Sequence, residues 1–525
     1  MKNIAKIIFC TSVFCLLNGF AQAQHTETMS GIEKTKAKSL WFFGSGNAAG
    51  LTIDEDEFVD QLLLGFDRTS GDFKRVQAGE IESDLILKAD GGLRLGEGYA
   101  WGNFRYARTT HRNTVWNAGL LNPFRNMPFN VIDPNVSDWQ IQSYSMQMKI
   151  STPFMFGDRL ALGLDVAYVN EIGAKQIDPR ATNRFYSINV KPGVIYQINP
   201  SNFIGISGEF LNHREDYIPT NSNSQLTQHV FSTRGLGYSF AGTLGGTGAT
   251  TIPRWTIKDL WGGEVQYGIK GNVNAMLAVG YRKSLEDMKQ ATVGGFVRDR
   301  ELLGSHRFIG SVLGDELYAN VSSTFGSENN LNLIKFNLSN ASLQGIEYIQ
   351  EMDTLRHWIV EYQSVRSTFD RMAFGASYDY FKGNSEADYS WRAGLFFNYF
   401  SNKDAYIYPI GTQNFTAMNF GINVKYNWAI NSESQVLLGA RIMRHNNLSK
   451  EFAYGGPNQN CASIVDFVIA DFDMRTMDYN LFGAELTFHF RLQNMGFFAG
   501  QHLDYMTAAG GINRMFYSVK VGLTF

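Results

Sequence analysis

The chain has 525 residues, and its 40 Phe, 24 Tyr and 9 Trp make it 14% aromatic, with 52 Gly, 11 Pro and only 18% charged residues, against roughly 25% charged in soluble domains. The 46 Lys+Arg nearly balance 49 Asp+Glu, and the net charge of -3 gives no field that would draw the protein onto nucleic acid. A soluble chain of this length would divide into several domains of about 150 residues, yet no polar linker divides this one.

Residues 1–23 read as a signal peptide. Lys2 and Lys6 precede an apolar run over 7–17 that is too short to span a bilayer as a helix, and Ala21-Gln22-Ala23 supplies a small-x-small cleavage site. Cleavage between Ala23 and Gln24 removes Cys10 and Cys15 and leaves Cys461 alone, which excludes an internal disulfide and Cys-rich metal centres. Residues 24–60 form an N-terminal segment expected in the periplasm or the lumen. Within it, Asp54-Glu55-Asp56-Glu57 lacks the central Gly of a calcium loop and reads as an acidic, solvated turn.

From residue 61 the pattern is period two. Leu160, Leu162, Leu164, Val166 and Tyr168 alternate with Ala161, Gly163, Asp165 and Ala167, and Ile204, Ile206 and Phe210 alternate with Gly205, Ser207 and Glu209. Trp391, Ala393, Leu395, Phe397 and Tyr399 repeat the pattern, as do Phe420, Ile422, Val424, Tyr426 and Trp428, with aromatic residues at the ends where the membrane interfaces favour them. Strands this long suit a tilted bilayer crossing, and a spanning sheet must close, because an open edge in hydrocarbon leaves backbone groups unpaired. The reading is all-β: a transmembrane antiparallel up-and-down barrel over 61–525, in the cell outer membrane.

Short turns at 198–202, 270–274, 430–434 and 493–496 are expected on the periplasmic side, and long loops near 110–138, 214–256 and 446–478 outside. The glycine-rich stretch 242–248 has no Gly-Lys-Ser/Thr after it and reads as loop, not a phosphate cradle. The apolar run 464–469 reads as a hairpin above the membrane. Strand parity clashes between residues 300 and 415, where one of the runs 331–338 and 343–349 does not fit a spanning strand. The count is about sixteen, with fourteen and eighteen as the other even possibilities.

A hairpin that pairs Gln493 with Gly496 sets Thr487 opposite His502, His489 opposite Gly500 and Glu485 opposite Asp504, all on the lumen face with Arg491. Two histidines and two carboxylates could serve as a general base or metal site, but no nucleophilic Ser or Cys accompanies them. A hydrogen-bonded lumen lining is the expectation, with no catalytic residue, metal or cofactor assigned. Asp165, Glu209, Arg392, Lys425, Arg441, Glu485, Arg491 and Lys520 also fall on lumen positions, and their mixed signs suggest a salt-bridged filling. The chain ends with Tyr517, Val519, Val521, Leu523 and Phe525 on the lipid face, which resembles the closing strand read by the barrel-assembly machinery.

Gly71-Asp72-Phe73-Lys74, Ile177-Asp178-Pro179-Arg180, Val190-Lys191-Pro192-Gly193-Val194 and Arg234-Gly235-Leu236-Gly237 resemble a family of uncharacterised outer-membrane β-barrel proteins from Gram-negative bacteria. The resemblance implies the fold and location and no catalytic residues. Asn47-Ala48-Ala49-Gly50-Leu51 is similar to the Asn-Pro-Ala motif of fatty-acid-type hydrophobic channels, whose N-terminal segment forms a hatch in the barrel. Ala48 stands where that motif has proline, and a small-residue turn leading into the first strand is the preferred reading.

The expected partners are outer-membrane lipid and, during biogenesis, the assembly machinery. The leading functional expectation is a channel or transport-associated barrel for small solutes, alone or with a separate uptake receptor. The alternatives are a hydrolase using His489 and His502 and a surface scaffold with a closed lumen. A TonB-dependent receptor with a full plug domain and 22 strands does not fit in this length.

Overall fold

The computed structural model describes residues 28–54, 60–246, 249, 251–291, 306–327, 329–354, 357–383, 388–457, 459–493 and 495–525. The expected signal peptide with its Ala23–Gln24 junction, most of the acidic run 54–57, and residues 247 and 248 of the glycine-rich stretch lie outside them. Eighteen antiparallel strands of 11 to 25 residues form one closed sheet, and Gln61–Gly71 zips the barrel shut against Asn513–Thr524. In that seam Leu62 pairs with Leu523, Leu64 with Val521 and Phe66 with Val519. Leu62, Leu64 and Phe66 point outward and are exposed, whereas Ser518 and Thr524 face inward and are buried.

Lipid contact imposes the alternation. Ile422, Val424, Tyr426 and Trp428 are 44 to 56% exposed on the outer face, where hydrocarbon and the interface replace water. The four turns placed in the periplasm all join neighbouring strands, as between Asn199 and Asn202 or between Ile269 and Val273.

The count is eighteen, the upper of the expected values, and the parity clash is resolved within a single strand. The runs 331–338 and 343–349 belong to one strand, Asn330–Met352. Near the periplasm its lipid-facing residues are apolar, with Phe336 and Leu338 exposed, while Leu331 and Leu333 are buried in the lumen. Beyond Leu338 the outward positions become Asn340, Ser342 and Gln344, and the apolar residue of that stretch, Leu343, packs inward against a buried extracellular cluster. Above the membrane the outer face meets water and the apolar positions move to the inner face, so one strand reads as two.

A second correction concerns 464–469, which form a helix, not a hairpin: a π-helical stretch Ser463–Ile469 runs on into an α-helix, Ala470–Arg475, folded over the barrel mouth with Ile464, Val468 and Phe472 buried.

Candidate functional site: a lumen stoppered at both ends

Residues 28–54 lie inside the periplasmic half of the barrel. Thr28 caps a helix, Met29–Lys38, by accepting from Gly31 N at 3.0 Å. A short helix, Leu40–Gly44, follows and then a 3-10 turn, Ala48–Thr52, capped by Asn47, which accepts from Ala49 N at 3.1 Å. The Asp54 carboxylate accepts from Phe42 N at 2.8 Å and folds the segment back on itself. Leu40, Trp41, Ala49 and Ile53 pack into a buried cluster with wall residues Met276, Leu331, Leu333 and Phe381.

The polar anchors are more specific. Asn47, 2% exposed, donates from Nδ2 to Val194 O at 3.0 Å, Ile206 O at 3.3 Å and Gln266 Oε1 at 3.1 Å. A Cβ at Gly163 would overlap the backbone of Ala49, and one at Gly193 would overlap the Asn47 side chain; the wall is glycine where the plug backbone approaches most closely. On the opposite side Glu33 pairs with Lys425 at 2.6 Å and Arg392 at 3.3 Å and accepts from Tyr389 Oη at 2.7 Å. Burial alone would raise the Glu33 carboxyl, but Lys425, Tyr389 and Arg392 outweigh it and hold it below the usual carboxylate range. The buried Lys34 donates to Asp388 O at 3.1 Å.

Above the plug a chamber of about 700 Å³ is lined by Lys36, Lys149, Lys191 and Arg282 and by Asp90, Asp165, Glu264 and Glu316. Many of these charges are paired: Lys88 with Asp90 at 2.7 Å, Lys149 with Asp165 at 3.9 Å, and Arg282 with Glu209 at 2.7 Å and Glu316 at 3.3 Å.

A lid closes the extracellular end. Val131–Ile132 and the hairpin of Gln228–Gly235 and Tyr238–Leu244 form a three-stranded sheet. Leu120, Phe129, Val131, Val230 and Leu244 bury themselves against wall residues Tyr217, Met288, Ile309 and Val312. Arg125 reaches into the wall to Glu215 at 3.1 Å, to Glu286 and to His213. Burial disfavours its charge, but the two carboxylates more than offset this and raise its pKa. Asp133 and Lys175 pair at 2.7 Å with almost no exposure. Phe467 of the mouth helix stacks on Trp116, with ring centroids 5.8 Å apart.

The polar cluster predicted near the C-terminus shares one face but is not one site. The hairpin register differs by two residues: Leu492 pairs with Met495, so Glu485 faces His502, Thr487 faces Gly500, and His489 faces Phe498. An even shift keeps every side chain on its face, so periodicity could not detect it. Glu485 binds Lys425 at 2.8 Å, within the plug network. Asp504 accepts from Arg441 at 2.6 Å and contacts His502 Nε2 at 3.0 Å. His489 is buried near the periplasmic rim, four residues and thus about 13 Å along the strand from the position opposite His502. Arg491 sits two residues further toward the turn, its backbone N–H donating to Glu433 O at 2.7 Å. Among the described residues, no three His, Cys, Asp or Glu side chains are placed to hold a metal ion.

Sequence reasoning missed Asn47, Glu33 and Arg125 as anchors, although the quoted motifs marked their surroundings. Val190–Val194 contains Gly193 and Val194 of the Asn47 socket, and Arg234-Gly235-Leu236-Gly237 is the tip of the lid hairpin, where Leu236 has φ 49° between two positive-φ glycines. The N-terminal turn lies in the lumen and does not lead straight into the first strand.

A closed antiparallel barrel with an apolar outer belt and a polar, stoppered lumen is an outer-membrane β-barrel protein. The chain belongs to a family of unknown function, DUF6850, whose model matches residues 48–525. No curated protein matches it. Among solved structures it is similar to BauA, the ferric preacinetobactin receptor of Acinetobacter baumannii, with 6% identity, TM-score 0.37, and 88% of this chain and 80% of that one covered. It is also similar to the copper transporter OprC and to the outer-membrane transporter YddB from Escherichia coli, each with 9% identity, TM-score 0.37, and coverage of 89% and 81%. Similarity at this level carries no functional inference.

Proposed function

We propose that the protein is a gated outer-membrane channel for small polar solutes, held shut here by its own N-terminal segment. One observation carries the reading: residues 28–54 occupy the periplasmic half of the barrel lumen. Barrels of sixteen to eighteen strands are wide enough to leave an aqueous pore, and here the chain's own N-terminal segment, fastened to the wall by hydrogen bonds and ion pairs, takes that space. The chamber left above it is lined by charges of both signs, which gives the pore no strong preference for cations over anions.

The test is conductance in a planar bilayer. The intact protein stays closed or opens only briefly, and a variant lacking residues 28–54, with the lid as its remaining stopper, opens far more often. A folded variant that conducts no more than the intact protein overturns the channel and leaves a closed surface scaffold.

A further inference from the structure

Where the mouth helix meets the lid hairpin lies a cavity of about 180 Å³. Its apolar lining includes Met127, Leu236, Phe369 and Phe467. Three guanidinium groups, of Arg75, Arg371 and Arg475, and two carboxylates, of Asp404 and Asp471, also line it. Arg75 is paired with Asp471 at 2.7 Å, and Arg371 is paired with Asp404. One positive charge is therefore in excess, and it belongs to Arg475. That side chain lies 4.8 Å over the Phe415 ring and, among the described residues, has no carboxylate within ion-pair distance. Burial, with Arg75 and Arg371 close by, lowers its pKa although Asp404 and Asp471 partly offset them.

We propose that this pocket binds a compact organic anion, a carboxylate on an apolar body, with Arg475 as its charge partner. Guanidinium binds carboxylate through two parallel hydrogen bonds, and the apolar wall takes the rest of the molecule. A cavity of roughly 150 Å³ holds benzene, so a single ring or a short branched chain fits here and an oligosaccharide or a large metal chelate does not. As the capture site of a gated channel the pocket rests on the preceding proposal; as a binding site it does not.

Benzoate is the probe, titrated calorimetrically into the intact protein in detergent micelles. Saturable binding at one site is expected, weakened at least tenfold by Arg475→Gln and partly retained by Arg475→Lys. Benzamide, of the same shape without the charge, should bind the intact protein no better than benzoate binds the Gln variant. No benzoate binding at millimolar concentration, equal binding by both folded variants, or equal binding of benzamide each overturns the proposal. Conductance of the barrel lacking 28–54 is measured separately: benzoate binding without conductance removes the channel and keeps the pocket, and conductance without benzoate binding removes the pocket and keeps the channel.

Discussion

Asn47→Ala is the sharpest perturbation of the plug. The side chain donates three hydrogen bonds at 3.0 to 3.3 Å and accepts a fourth from Ala49 N, all in a site where Asn47 is 2% and Gln266 0% exposed. Truncation strips Gln266 Oε1 of this donor and leaves the Ala49 N–H without its cap, while Val194 O and Ile206 O each lose one donor. A buried polar group left unsatisfied costs about 1–3 kcal/mol; two such groups, softened by water entering from the chamber, bring the total to about 2–4 kcal/mol against the docked plug. At about 1.4 kcal/mol per tenfold change, the undocked population rises by roughly 30- to 700-fold. Single-channel recording at neutral pH reads this as a matching gain in open fraction. Should Asn47→Ala stay as closed as the parent, under conditions where the barrel lacking 28–54 conducts, Asn47 is not the anchor and the reasoning fails.

Three further outcomes follow from the same contacts. The Glu33 pKa is lowered in the folded state, so its stabilisation of the plug is fully present above the ordinary value near 4.5 and is lost as pH falls through the lower folded value; open fraction should rise on acidification below about pH 4.5, and Glu33→Gln should be leakier at pH 7 with a flatter pH profile. Gly163→Val forces a side chain into the Ala49 backbone, an overpacking cost of about 1–3 kcal/mol or more, and should raise conductance, whereas Gly102→Ala, with open space around it, should not. Arg125→Met leaves Glu215 and Glu286 buried without their cation, which costs about 3–5 kcal/mol; limited proteolysis should then cut the lid within 115–136 at least tenfold faster, and an unchanged cleavage rate would count against the Arg125 anchor.

The wall was legible because lipid acts on every second residue regardless of partner, as at Phe420 to Trp428 and in the closing strand from Tyr517. The lumen was not, because there each side chain answers to a particular partner across the barrel. The helix Met29–Lys38 buries Ser30 and Lys34 as well as Ile32, since the wall opposite them offers Gln435 and the Asp388 carbonyl, not hydrocarbon. No hydrophobic periodicity marks such a helix. The small residues after Asn47 were a visible signal, but their reason, close approach to Gly163 and Gly193, needs the other surface. The run at 464–469 was correctly unusual, and its helical form follows from the apolar lid beneath it.

The two stoppers also differ in how they can yield. On one side the lid is rooted in the wall by a continuous apolar cluster and by the Asp133–Lys175 pair, which is buried on both partners; parting these would expose apolar surface at about 25 cal/mol per Å² and strand two charges. On the other side the mouth helix buries Ile464, Val468 and Phe472 and is tied to the loop after the first strand by Arg75 and Val76 N–H, which donate to Asp471, but its ion pairs leave at least one partner open to water, with Arg75 39% exposed and Lys450 and Asp473 both more than half exposed. Opening should therefore begin as a swing of residues 463–475 away from a fixed three-stranded lid. The Arg475 cavity lies along that seam, so an anion seated there would compete with Asp471 for Arg75, the guanidinium that ties the helix to the loop after the first strand. The same logic holds for the plug, where Glu33 shares Lys425 with Glu485: when Glu33 leaves, Glu485 stays to neutralise Lys425, and the wall is not left with an unpaired charge.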